Sequence, residues 1–154
     1  MSLSPDPVPR PLDHLAELGR DADQALVLRG EVLSYQDLRT RIGRLASWLA
    51  GEVPEKGARV ASWAAKGELT CLLPLAAARA GLVHVPINPL LKRAQVAHIL
   101  ADSGARLLLG TPARLATREA GDVPEDCAVT AEDAALDAAE SAREFPEKGI
   151  SKLE

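Results

Sequence analysis

Apolar positions recur at two spacings along this chain, and the change from one to the other marks its layout. From Tyr35, the residues Leu38, Ile42, Leu45 and Leu49 follow at steps of three and four, with Arg39, Arg41 and Arg44 between them. That pattern predicts one amphipathic helix with a single buried stripe. Ser34 stands where a hydroxyl caps the first-turn amides, and Asp37 three residues later suits the positive end of the dipole. Gly51 and Pro54 are expected to end it. Ahead of this helix, residues 2–11 hold four prolines and read as an extended lead-in. Residues 12–18 read as a short helix with Leu12, Leu15 and Leu18 on one side. Residues 24–29 and 31–33 flank Gly30 as a small hairpin.

Beyond Arg59 the pattern becomes an alternation of elements. Residues 60–64, 82–87 and 105–109 are short, nearly continuous apolar runs, the form expected of strands buried on both faces. Residues 68–80 and 92–102 read as helices between them, the first with Pro74 inside it and Gly81 at its stop, the second with Val96, Ile99 and Leu100 inward and Gly104 at its stop. Residues 111–119 read as a short helix, 127–129 as a weak strand, and 131–144 as an acidic, alanine-rich helix. Strand, helix, strand, helix, strand with short connections predicts a parallel sheet. The expected fold is α/β, with helices on both faces of a parallel sheet in three layers. Its expected limits are a lead-in over 1–11, one domain over 12–143 and a divergent or non-native tail over 144–154.

Bulk properties narrow the function classes. With 154 residues and 47% apolar content, the chain can bury one real core. Its net charge of −4 is uneven: residues 1–118 hold 15 Lys+Arg against 11 Asp+Glu, and residues 119–154 hold 3 against 11. An acidic tail and the lack of a basic stripe interleaved with aromatics argue against nucleic acid as a partner. The longest apolar run, residues 69–78, is broken by Thr70, Cys71 and Pro74 and is far below membrane-spanning length. Prolines and acidic residues interrupt the first 18 positions, so no secretory signal is expected and a cytoplasmic location is. Cys71 and Cys127 have no paired spacing, and His14, His84 and His98 share no ligand spacing with them.

Ligands of parallel sheets lie beyond the carboxyl ends of the strands, so the turns there are the candidate sites. The turn Ala65-Lys66-Gly67-Glu68 has one glycine and one lysine but lacks the spacing of a phosphate cradle, and a plain strand-to-helix turn is the favoured reading. Asn88, ahead of Pro89, is expected to fix its own turn rather than hold a ligand. No serine sits in a G-x-S-x-G elbow. Asp13 and His14 read as a local surface pair, and Glu132, Asp133, Asp137 and Glu140 as a solvated helix face. Trp48 and Trp63 read as packing residues. The sequence therefore offers no catalytic, cofactor-binding or metal-binding residue.

Five stretches in order carry a family resemblance. They are LSYQDL at residues 33–38, Arg41-x-x-Arg44-Leu45-Ala46, Lys56-Gly57-x-Arg59-Val60-Ala61, ARAGLVHVPINP at 78–89 and ILADSGARLL at 99–108. Together they resemble the opening of the AMP-forming adenylating enzymes: acyl-CoA ligases, luciferases and the adenylation domains of peptide synthetases. The residues departing from that pattern are Gly43 for a common asparagine, Ala58 for an acidic residue and Arg79 for lysine. Residues 89–100 look closest to bacterial acyl-CoA ligases.

The resemblance implies the N-terminal subdomain of the adenylating-enzyme fold. It also implies ATP, magnesium and CoA as the cofactors of a full-length enzyme that activates a small carboxylic acid as an acyl-adenylate and passes it to a thiol. In that family the phosphate loop, adenine pocket and mobile lysine lie downstream of the matched region, so this chain is expected to bind none of those cofactors and to be inactive alone. Thr111-Pro112 is no substitute, because a phosphate loop needs several glycines. The expected partner is the rest of a ligase or a second copy. Two other readings stay open: an interaction module that docks on a ligase or self-associates through a bare sheet edge, and an enzyme with an unseen site.

Overall fold

A computed structural model describes residues 8–145. The lead-in expected over 1–11 and the tail expected over 144–154 therefore fall largely outside the described residues. An opening 3-10 helix, Leu12–Glu17, is followed by β1 (Gln24–Leu28) and β2 (Glu31–Ser34), then by α1 (Tyr35–Glu52). The chain continues through β3 (Arg59–Trp63), α2 (Glu68–Arg79), β4 (Val83–Pro86), α3 (Arg93–Ser103) and β5 (Leu107–Gly110). It closes with a single turn, α4 (Pro112–Leu115), then β6 (Ala128–Ala131) and α5 (Glu132–Glu140).

The strands β4-β3-β5-β6 form one parallel sheet, with β1 and β2 as a separate antiparallel hairpin turning at Gly30, whose φ is +83°. Alternation along the central strands divides two cores, because successive side chains point to opposite faces. Val60, Leu107 and Leu109 face α1, α2 and α5, while Ala61, Trp63 and Leu108 face Val96 and Leu100 of α3 and Leu115 of α4. This is a three-layer α/β fold. Ile42, Leu45 and Leu49 of α1 are fully buried, and each such side chain stabilises the fold by about 1.5–3 kcal/mol.

Local chemistry explains where the elements begin and stop. Ser34 Oγ accepts from the Asp37 amide at 3.1 Å, and the Asp37 carboxylate accepts from the Ser34 amide at 3.0 Å, a reciprocal cap on α1. Gly81 and Gly104 take left-handed φ values of +73° and +62° at the ends of α2 and α3. Arg39 and Arg41, expected only on the polar side of α1, tie it to its surroundings. Arg41 pairs with Glu31 of β2 and, at 2.5 Å, with Glu68 of α2. Arg39 donates to the carbonyls of Ala16 and Gly19. The Phe145 amide donates to the Gly43 carbonyl at 2.9 Å, so packing onto α1 continues past α5.

Several expectations are corrected. Leu12, Leu15 and Leu18 are 48%, 45% and 71% exposed, so that stripe faces outward. Asp13 is not a surface group but is buried against Arg79. The physical reason lies across the fold: positions 12, 15 and 18 share one side and Asp13 and Ala16 another, and the buried pair of Asp13 with Arg79 turns that second side inward. The helix expected over 111–119 is one turn, and the helix expected to reach 144 ends at Glu140. β4 is an edge strand with Val83 and Pro86 exposed, so it is not buried on both faces.

Candidate functional site at the carboxyl edge of the sheet

Two cavities open at the carboxyl ends of the parallel strands. The larger, about 860 Å³, lies beside the edge strand β4 on the α2 side, between the ends of β3 and β4, α2 and the 3-10 helix. Its polar floor is Ser62 of β3 with His84 of β4. Parallel register sets His84 opposite Val60, one diagonal step from Ser62 on the same face. Ser62 Oγ and His84 Nε2 lie 2.9 Å apart. Burial holds the His84 ring below its ordinary pKa, so it is a neutral imidazole at neutral pH. With the proton on Nδ1, the Ser62 hydroxyl donates to Nε2. Leu12, Pro74, Ala78, Leu82 and Val83 form apolar walls, and among the described residues Lys66 is the one charged residue of the lining.

The smaller cavity, about 370 Å³, lies on the other face between α3 and α4. Trp63 lines it, and its buried Nε1–H has no partner among the described residues; the same holds for Arg114 Nε. Arg93 beside them is held by Glu119 at 2.7 Å and Asp122 at 2.8 Å. The backbone amide of Glu119 and the Arg93 guanidinium keep the Asp122 carboxyl below the usual carboxylate range.

At the turns after β3, β4 and β5, an amide is already engaged within the chain. After β3, the Gly67 amide is already held by Thr70 Oγ1 at 2.9 Å. After β4, Asn88 Oδ1 accepts from the Leu90 amide at 2.9 Å, the turn-fixing role read from sequence. After β5, the first helical position is Pro112, which has no N–H, and the Thr111 amide donates to the Trp63 carbonyl at 3.3 Å. A phosphate cradle needs several free convergent amides, and at each of these turns one amide is engaged or, at Pro112, missing.

The remaining candidates stay apart. Asp133, Asp137 and Glu140 are exposed on α5; Glu132 is half-buried, and burial with Asp133 beside it raises its pKa. Cys71 is exposed and Cys127 buried, both as free thiols; burial pushes the Cys127 thiol up to about 11. Among the described residues no three His, Cys, Asp or Glu side chains group as metal ligands, and no helix is long and apolar enough to cross a membrane. Trp48 packs half-buried on the first core and Trp63 is buried in the second. Two features escaped sequence reasoning: the Asp13–Arg79 pair and the Ser62–His84 pair. Only the first left a signal, an acidic residue in register with Ala16 at a spacing of three.

A family model described as AMP-binding enzyme matches residues 16–152. The chain is 36% identical over 91 residues to the L-proline--[L-prolyl-carrier protein] ligase of Pseudomonas fluorescens, covering 59% of this chain and 18% of that protein. It is 40% identical over 111 residues to the sulfoacetate--CoA ligase of Cupriavidus necator, covering 68% of this chain and 21% of that one. Among solved structures it is similar to the N-terminal domain of FACL13 from Mycobacterium tuberculosis, with a TM-score of 0.76 and 28% identity over 84% of this chain and 35% of that one. The chain thus spans 18% and 21% of the two sequence relatives. With the five sequence stretches, both packed faces and the intervening turns all inside the matched residues 16–152, this chain belongs to the AMP-binding enzyme family.

Proposed function

We propose that this chain supplies the N-terminal α/β layer of an ATP-dependent acid-thiol ligase and carries no adenylation site of its own. The observation that carries this reading is the family match over residues 16–152. Relatives named as CoA ligases and carrier-protein ligases support the acid-thiol class. In such a reaction a carboxylate displaces pyrophosphate from ATP and a thiol then displaces AMP. No residue of this chain is assigned a step in it; at the turns after β3, β4 and β5 one amide is already held within the chain, which supports that reading. The working unit is the domain over residues 12–143, with the remainder of a ligase as its partner and the cytoplasm as its location.

The test is acid-dependent exchange of pyrophosphate into ATP, with the 154-residue chain, magnesium and a panel of acyl and aryl acids. No exchange above the blank is expected, and activity should appear when a downstream ligase polypeptide is added. Turnover by the chain alone, abolished by a point change in it, overturns the reading.

A further inference from the structure

Ser62 and His84 set a hydroxyl beside a base on the floor of the larger cavity, and no step of the proposed ligase reaction uses them. Ser62 Oγ and His84 Nε2 lie 2.9 Å apart, within reach of direct proton transfer. Burial keeps the ring neutral at neutral pH, the form that can accept a proton. The pair is held by the sheet itself, because β3 is bonded to β4 on one side and β5 on the other, which fixes the register of the two side chains. Ser62 is 3% exposed, so a reactant meets its hydroxyl through the cavity and not from open solvent. Of the fourteen lining residues among those described, nine are aliphatic or proline, and the volume of about 860 Å³ suits a small molecule. Lys66 also borders a second cavity with Glu31 and Glu68, so it does not make this one an anion site. An uncharged, apolar reactant fits these walls best.

We propose that Ser62 and His84 form a nucleophile–base dyad that cleaves small, uncharged apolar esters. The apolar walls draw the ester in by removing hydrocarbon from water. Ser62 Oγ attacks the ester carbonyl carbon while its proton passes to His84 Nε2. The bond from that carbon to the alcohol oxygen then breaks, and His84 returns the proton to the departing oxygen. Water attacks the acyl-serine in turn, gives a proton to His84 and releases the acid, and the proton goes back to Ser62 Oγ. The sum is ester plus water to acid plus alcohol. No nucleotide or thiol enters these steps, so the dyad stands whether or not the chain is part of a ligase.

The test is release of p-nitrophenolate from p-nitrophenyl butyrate by the 154-residue chain carrying Cys71→Ser, which removes the exposed thiol as a competing nucleophile. Peptide mass analysis after an acid quench locates the acyl group. Release above the blank is expected, with the butyryl group on Ser62. Ser62→Ala should slow release about 100-fold or to the blank, and His84→Gln, checked by circular dichroism for retained fold, should slow it by a similar factor. Ser62→Cys keeps a nucleophile at the same position and should still be acylated there, which separates lost chemistry from lost fold. Ala78→Phe narrows the cavity and should slow release, whereas reaction at an outer surface would not respond. A butyryl group found on other residues and not on Ser62, or an unchanged rate in Ser62→Ala or in His84→Gln, overturns the proposal. So does release that never exceeds the blank.

Discussion

Arg79 Nε lies 3.0 Å from Asp13 Oδ2, and both side chains are only 5% exposed. The same guanidinium reaches Glu17 at 3.2 Å through its second nitrogen. Sixty-six positions apart in sequence, Asp13 and Arg79 pin the opening 3-10 helix to the last turn of α2. Removing Arg79 strands the Asp13 charge where water cannot reach it, and removing Asp13 leaves the buried Arg79 with Glu17 alone. Arg79→Met or Asp13→Leu is therefore expected to destabilise the chain by about 3–5 kcal/mol. The double variant should recover most of that loss. Urea unfolding of the three variants checks both statements, and additive single effects would contradict the pairing.

Two glycines with opposite surroundings should respond in opposite directions to alanine. At Gly110 an added Cβ would come within 2.7 Å of Leu115 Cδ2 and 3.2 Å of the Trp63 carbonyl oxygen. Gly110→Ala is expected to cost about 1–3 kcal/mol by forcing β5 and α4 apart. At Gly51, in the last turn of α1, nothing lies within 4 Å of the added atom. Gly51→Ala should stabilise by about 0.5–1 kcal/mol. Thermal melts of the pair decide the matter.

His84 should give the fold a pH dependence with a definite sign. Burial holds its folded-state pKa below the ordinary value of 6.5. The unfolded chain therefore takes up a proton first as pH falls. Its contribution is fully present above pH 6.5 and is lost as pH drops through that value toward the folded pKa. Urea midpoints measured from about pH 7.5 to about pH 5 should fall more steeply for the native chain than for His84→Gln. Equal slopes would mean the ring is not buried in the way described.

The two thiols should separate cleanly under alkylation. Cys71 is exposed on α2, whereas Cys127 is buried with its pKa raised to about 11 by burial and the Asp126 charge. The thiolate is the reactive form, so at about pH 8 iodoacetamide should modify Cys71 at least ~100-fold faster than Cys127. Both should react together once urea unfolds the chain. Peptide mass analysis after a timed quench reads the order directly.

What could be read from the sequence followed the strength of each local signal. The α1 stripe, the Ser34 cap and the stops at Gly81 and Gly104 appear where the spacing and turn chemistry put them. Those features depend on one element or one turn at a time. The orientation of residues 12–18 was not readable, because a 3-10 helix and an α-helix place the same three leucines on one side but leave open which side faces the core. The side was decided by Arg79, which lies across the fold. The cavity floor was hidden for a similar reason. Ser62 and His84 meet only through the register of two parallel strands, and neither sits in a recognisable motif.

The order β4-β3-β5-β6 also has a consequence for synthesis on the ribosome. The first partner of β3 to emerge is β4, only about two dozen residues later, so that half of the sheet can close while the chain is still being made. The opposite flank of β3 must wait for Leu107–Gly110 to clear the exit tunnel. During that interval Val60 and Trp63 sit beside open hydrogen-bonding groups, the window in which a nascent chain is most exposed to neighbours.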